Sequence, residues 1–221
     1  MQFNLEFNIQ SYWHIGTGLE GGAYADALTL KDEQQLPYLP GKSIKGLLRD
    51  AFKKAIDNNW FSEQVTTNDN NSFELIELLF GKENTAGTSK QGLLQISSAC
   101  LSATEINFLT DNKQAKSMLY KVTYATAIDE TSGVAKDTSL RSMEVTIPMT
   151  LNASLNINSA HPSYKAFSTG LKEQFYEQLN LVLPFISEIG AKRHRGLGKT
   201  IVTASQNITV NATENKITGE Q

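Results

Sequence analysis

Residues 189–199 read Ile-Gly-Ala-Lys-Arg-His-Arg-Gly-Leu-Gly-Lys. Gly190, Gly196 and Gly198 allow positive φ and a close approach of backbone to a ligand. Successive backbone N–H groups in such a loop form an anion-binding nest. Lys192, Arg193, Arg195 and Lys199 add positive charge, and arginine pairs with phosphate through two parallel hydrogen bonds. The segment does not match a Walker A loop. It follows a helical pattern and opens a strand, the reverse of a dinucleotide-binding fingerprint. Nucleotide hydrolysis and dinucleotide binding are therefore poor fits.

Outward from this loop, residues 200–205 read as a strand. Upstream, residues 163–183 place Phe167, Leu171, Phe175, Leu179 and Val182 on one helical face, and Pro184 ends or kinks that helix. Residues 143–157 alternate through Val145, Ile147, Met149, Leu151, Ala153, Leu155 and Ile157, the pattern of one long strand. Pro148 puts that strand near a sheet edge or at a bulge. Residues 2–10 alternate through Phe3, Leu5, Phe7 and Ile9 as a half-buried strand. Residues 43–58 carry Ile44, Leu47, Leu48, Ala51, Phe52, Ala55 and Ile56 on one helical face, with Ser43 as the expected N-cap.

Between these lie weaker elements. Residues 72–80 read as a short helix closed by Gly81, and residues 92–99 and 120–127 as strands. Residues 16–35, 62–72 and 82–90 read as loops, the first with a short extended piece at 27–30. A polar tail ends the chain. Residues 128–142 are polar around Gly133 and read as a hairpin leaving the core. The order strand, helix, two strands, helix, strand predicts an α+β fold with a ferredoxin-like (RRM-like) βαββαβ core and long insertions. Such an architecture hosts many functions.

The chain has 221 residues, 40% hydrophobic and 19% charged, ordinary for a globular protein. No apolar run reaches the ~18–20 residues of a membrane span. The start has no signal-peptide pattern, and Cys100 is the only cysteine. A reducing cytoplasm without membrane attachment is expected. Net charge is −3. Nine of the twenty basic residues nevertheless fall in two stretches: Lys42, Lys45, Arg49, Lys53 and Lys54, then Lys192, Arg193, Arg195 and Lys199. For phosphate binding, distribution outweighs the sum. The earlier stretch, Leu-Pro-Tyr-Leu-Pro-Gly-Lys-Ser-Ile-Lys-Gly-Leu-Leu-Arg over 36–49, aims the free N–H groups of a helix start at an anion. Taken alone, that stretch also fits a capped helix with a solvated basic side.

Together the two stretches resemble the RAMP superfamily of CRISPR-associated proteins, whose hallmark is a C-terminal glycine-rich loop. His14-Ile-Gly-Thr-Gly-Leu19, Leu79-Phe-Gly81 with the strand motif at 92–99, and the segment 127–144 are similar to features of the type III backbone subunits. The matches run in order from about residue 12 to residue 202. The resemblance implies one RAMP domain over residues 1–221, with a loop insertion at about 16–35 and a thumb-like insertion at about 125–146. It also implies a role in antiviral defence, with guide (CRISPR) RNA, complementary target RNA, other effector subunits and further copies of the chain in a helical filament as partners.

Implied RNA-gripping residues are His14, Lys42, Ser43, Lys45, Arg49, Gly190, Lys192, Arg193, His194, Arg195, Gly196, Gly198 and Lys199. Implied thumb residues are Ile128, Asp129, Thr131, Gly133, Lys136, Leu140 and Arg141. In target-cutting members an Asp ahead of the Pro-Gly helix start cleaves RNA with a divalent metal. Asp26 matches it, with Mg²⁺ as the implied cofactor, although the spacing runs about one residue short. Asp32 and Glu20 are weaker candidates, Asp32 because it suits a turn.

His14 offers metal-free guide processing by acid–base chemistry as a rival. His194, between two arginines, suits phosphate contact over proton transfer. His161 carries no signal. A non-catalytic subunit or filament cap of the same complex, and a protein-only scaffold, complete the alternatives. A scaffold would show no salt-dependent RNA affinity.

Overall fold

A computed structural model describes residues 1–22, 24–66, 71–82 and 89–206. Parts of the expected loops at 62–72 and 82–90, and the polar tail, lie outside these residues. In chain order the elements are β1 (Gln2–Ile9), α1 (Gly41–Asp57), β2 (Gln64–Thr66), β3 (Ser72–Glu74), α2 (Leu75–Phe80), β4 (Gly81–Lys82), β5 (Lys90–Gln91) and β6 (Leu94–Ile96). There follow α3 (Ala103–Asp111), α4 (Lys113–Ser117), β7 (Tyr120–Ala125), β8 (Arg141–Thr146), β9 (Met149–Ile157), α5 (Tyr164–Gly170), α6 (Phe175–Val182) and β10 (Thr200–Gln206).

The main sheet is β10-β1-β9-β6, antiparallel throughout. Taken as the first to fourth core strands, its members stand in the order fourth, first, third, second. The helix α1 joins the first to the second, and α5 with α6 joins the third to the fourth. That is the expected α+β arrangement, βαββαβ. Register explains the sidedness. Phe7 stands opposite Leu151 and Val202, and Leu5 opposite Ala153 and Ala204. One face is therefore apolar across three strands, while Glu6, Asn152 and Thr203 form a polar row on the other.

The apolar face is covered by α1, through Ile44, Leu48, Ala51, Phe52 and Ala55, and by α6, through Phe175, Leu179 and Val182. Phe52 and Phe175 stack with centroids 6.4 Å apart, and Phe3 and Phe167 pack on Phe175 at 5.7 and 5.5 Å.

Four expectations are corrected. The long strand at 143–157 is two strands, β8 and β9, because Pro148 has no N–H for a ladder. β9 lies inside the main sheet, whereas β8 leaves it and pairs with β7 as a separate ribbon. The helix at 163–183 is also two, interrupted after Gly170, although all five face residues are buried. The strand at 92–99 narrows to Leu94–Ile96, followed by single bridges at Ala99 and Cys100. Residues 72–74 are strand rather than helix, and Gly81, at φ 87°, does close α2.

Candidate nucleic-acid interface

Two chain segments converge where β1 ends and α1 begins. The first is the glycine-rich loop. Its base is pinned by backbone hydrogen bonds from Gly198 N–H to the Tyr12 carbonyl (2.7 Å), Ala191 N–H to the His14 carbonyl (2.9 Å) and Ile189 N–H to the Gly198 carbonyl (2.8 Å). Gly190 and Gly198 have φ of 77° and 74°. A Cβ on Gly198 would stand 1.9 Å from the Ile189 carbonyl oxygen, and one on Gly190 would stand 2.3 Å from that of His14. Glycine is thus required twice where the loop crosses β1's continuation. The tip, Arg193–Arg195, is a single 3₁₀ turn between Lys192 and Gly196, both left-handed. Lys192, Arg193, His194, Arg195 and Lys199 are exposed.

The second segment is the start of α1. Its N-cap is Pro40, not Ser43. Ser43 lies within the first turn and its N–H donates to the Pro40 carbonyl at 2.9 Å. The helix begins earlier than expected because Pro40 already supplies a fixed φ of −58° and has no donor to satisfy. No acidic side chain occupies the first turn. Lys42 and Arg49 are exposed and Lys45 is half-buried. Burial, then the nearby Arg49 charge, lowers the Lys45 pKa from its ordinary value. Among the described residues, none of Lys42, Lys45, Arg49, Lys192, Arg193, Arg195 and Lys199 forms an ion pair.

An open cleft of about 440 Å³ separates the segments. His14, Gly16, Ser43, Gly190 and Arg193 line it, together with Gly46 and Asp50, which sequence reasoning had not singled out. His14 is 4% exposed. Its Nδ1 is 2.7 Å from the Glu144 carbonyl. A carbonyl only accepts, so Nδ1 carries the hydrogen of that bond. Lys42, Lys45, Arg49, Lys192, His194, Arg195, Gly196, Gly198 and Lys199 belong to the same two segments without lining the cleft.

Asp26 sits elsewhere, against Ser142 near the outer end of the β7–β8 ladder. Its N–H donates to the Ser142 carbonyl (3.1 Å) and hydroxyl (3.0 Å), and its Oδ2 accepts the Ser142 N–H at 2.6 Å. Among the described residues Oδ1 accepts no hydrogen bond. No group of three or more His, Cys, Asp or Glu that could hold a metal occurs among the described residues. One open, exposed carboxylate oxygen still suits Mg²⁺, which keeps most of its waters and takes one or two carboxylates plus phosphate oxygens.

The other candidates sort clearly. Asp32 closes a turn, its Oδ1 accepting the N–H groups of Gln34 (2.9 Å) and Leu36 (2.8 Å). Glu20 is exposed. His161 is held between the Gln91 carbonyl and the Ser163 N–H, a structural placement. The ribbon extends to an exposed tip. Ile128, Val134 and Leu140 there are 62–67% exposed, and Ile128 bridges Ala135. Asp129 takes the N–H and hydroxyl of Ser132 and the N–H of Thr131, and those bonds lower its pKa. Gly133 turns the tip at φ 69°. Lys136 and Arg141 are exposed along the ribbon.

The most consequential residue that sequence reasoning missed is Glu144. It is 1% exposed and accepts hydrogen bonds from Lys31 Nζ (2.8 Å), Thr29 N–H (3.1 Å) and Tyr24 O–H (3.3 Å). Only a charged residue inside an apolar alternation hinted at it.

The sequence profile of the RAMP superfamily matches residues 6–201. The chain belongs to the RAMP superfamily. No curated protein matches. The fold is shared with a subunit of a type III-B Cmr-beta complex bound to cognate target RNA. That match has a TM-score of 0.62 and 10% identity, covering 92% of this chain and 97% of the other. An apo-state structure of a type III-B Cmr-beta complex gives a TM-score of 0.62 at 11% identity, covering 94% and 98%. A chain of a type IV-B CRISPR complex gives 0.53 at 15% identity, covering 100% and 96%. No helix among the described residues is long and apolar enough to cross a membrane.

Proposed function

We propose that this chain is a guide-RNA-binding backbone subunit of a type III CRISPR RNA-targeting effector complex, and that Asp26 cleaves the target RNA with a divalent cation. One observation carries the RNA-binding part. The glycine-rich loop and the start of α1 meet across one cleft, which Arg193 lines, and the two segments together carry seven cations that have no ion-pair partner among the described residues. Such cations favour a polyanion, since each phosphate they neutralise releases a counterion. Exposed backbone at the 192–196 turn and the helix start read shape and phosphate rather than sequence. Sequence recognition is then left to base pairing. The likeness to the Cmr-beta chains supports the same reading.

For cleavage, Asp26 offers an open oxygen on a segment tied to the ribbon, where target RNA would meet guide. A divalent cation bound there would stabilise charge on the leaving oxygen and help position the 2′-hydroxyl. The chain's own task is to hold Asp26 at that place. A second reading has its own observation. The Asp26–Ser142 bonds tie the loop to the ribbon whether or not RNA is cut, as a non-catalytic subunit would need.

Two variants separate the readings. Asp26→Asn keeps an acceptor for the Ser142 N–H but removes the charge, whereas Asp26→Ala removes both. In a complex reconstituted with guide RNA, Mg²⁺ and labelled complementary RNA, catalysis by Asp26 predicts that both variants stop cutting while target binding persists. A structural role predicts that Asn behaves as the native residue and that only Ala disturbs target binding.

A further inference from the structure

Glu144 gathers contacts from five residues of two distant segments. Its carboxylate holds Lys31, Thr29 and Tyr24, its N–H donates to the Ala27 carbonyl at 2.9 Å, and its carbonyl receives Nδ1–H of His14. Tyr24, Ala27, Thr29 and Lys31 flank Asp26 in sequence. Lys31 is the counter-charge, and its ammonium also lies over the Tyr120 ring, 4.0 Å from the centroid. Tyr120 in turn donates to the Gln35 carbonyl at 2.9 Å, closing the far end of the loop. A carboxylate this buried is tolerated because three donors, one of them a cation, satisfy it.

We propose that Glu144 is a positioning residue. With Lys31 as its partner, it fastens the 24–31 run to the middle of the β7–β8 ladder and so sets where the Asp26 carboxylate is presented. The consequence for cleavage rests on Asp26 being the cleavage residue; the ordering of the run does not.

The pair predicts a specific pattern of failure and rescue. Glu144→Gln keeps an oxygen for the Thr29 N–H but turns an amide donor toward the Lys31 ammonium. Lys31→Met leaves the buried carboxylate without its cation. The double variant removes both faults and retains the Thr29 bond. If the two act as a unit, their effects are non-additive.

The experiment measures amide hydrogen exchange over residues 24–31 in the full chain with bound guide RNA. It also measures the target-cleavage rate at saturating target in the reconstituted complex. Each single variant is expected to speed exchange in that run, most at Thr29, and to slow cleavage on the order of tenfold to a hundredfold. The double variant is expected to recover most of both.

Unchanged exchange in both single variants, or losses that add in the double, overturns the proposal. If a single variant fails to fold, the double must fold; its failure also overturns the proposal. Should Asp26→Ala cut normally, the cleavage reading falls by itself, and exchange with rescue still decides whether Glu144 orders the run.

Discussion

At the scale of the residue, Gly198 and Gly196 look alike in sequence and differ in consequence. Both are left-handed, at φ of 74° and 79°. A Cβ at Gly198 meets the Ile189 carbonyl, whereas nothing among the described residues lies within 4 Å of one at Gly196. Gly196→Ala is therefore expected to cost only the left-handed penalty, about 1–2 kcal/mol. Gly198→Ala should cost several times more, because backbone must move. Chemical denaturation of the two variants measures the difference, and equal losses would contradict the packing described. The glycine positions of this loop were legible because only glycine accepts such backbone without strain. Lys192, also left-handed, was not, since its residue type gives no warning.

At the scale of the element, the β7–β8 ribbon stands apart from the main sheet and shares no ladder with it. Ala125 pairs with Arg141 at its outer end. Replacing residues 126–140 with Asn-Gly closes that pair with a two-residue turn of the kind hairpins favour. Thermal unfolding of this shortened chain is expected to stay within a few degrees of the native midpoint, because the excised tip is almost entirely exposed. Guide-RNA binding should persist, and the step that engages target RNA should fail. A midpoint lowered as far as that of a core cavity would show that the tip supports the sheet.

The existence of the ribbon was legible from the polar run around Gly133, but its separateness was not. The alternation through Val145, Ile147 and Met149 keeps its parity across Pro148, so period alone cannot reveal that the strand changes partners there. The helical face at 163–183 behaves alike, with all five named face residues buried and the break after Gly170 unannounced.

At the scale of the whole molecule, a net charge of −3 coexists with cations that, among the described residues, have no ion-pair partner and lie on the two segments that meet across the cleft. Binding driven by those cations has a measurable signature. The logarithm of RNA affinity should fall linearly with the logarithm of salt concentration, with a slope of about −0.7 for each phosphate contacted on a single strand. Lys192→Gln with Arg193→Gln should flatten that slope by about 1.4 if each contacts one phosphate. A salt-independent affinity would favour a protein-contact role for the cleft.

The two basic segments were legible as charge clusters, and their meeting followed from the strand and helix order. The seating of Asp26 on Ser142, and of Tyr24, Thr29 and Lys31 on Glu144, was not legible. Those partners lie more than a hundred residues apart, and no local pattern joins them.

The place of β1 in the sheet has a consequence for how the chain is made. β1 lies between β9 and β10, so Phe3 waits for Leu155 and Gln206 before either edge is paired. On the ribosome, that apolar strand emerges well before its partners and stays unpaired while roughly 150 residues are translated, about 8–30 s at typical elongation rates. Such distant pairings make folding slow and leave an open edge that attracts other chains. A nascent chain stopped before β9 should therefore bind chaperones and aggregate, and release through residue 206 should end both together.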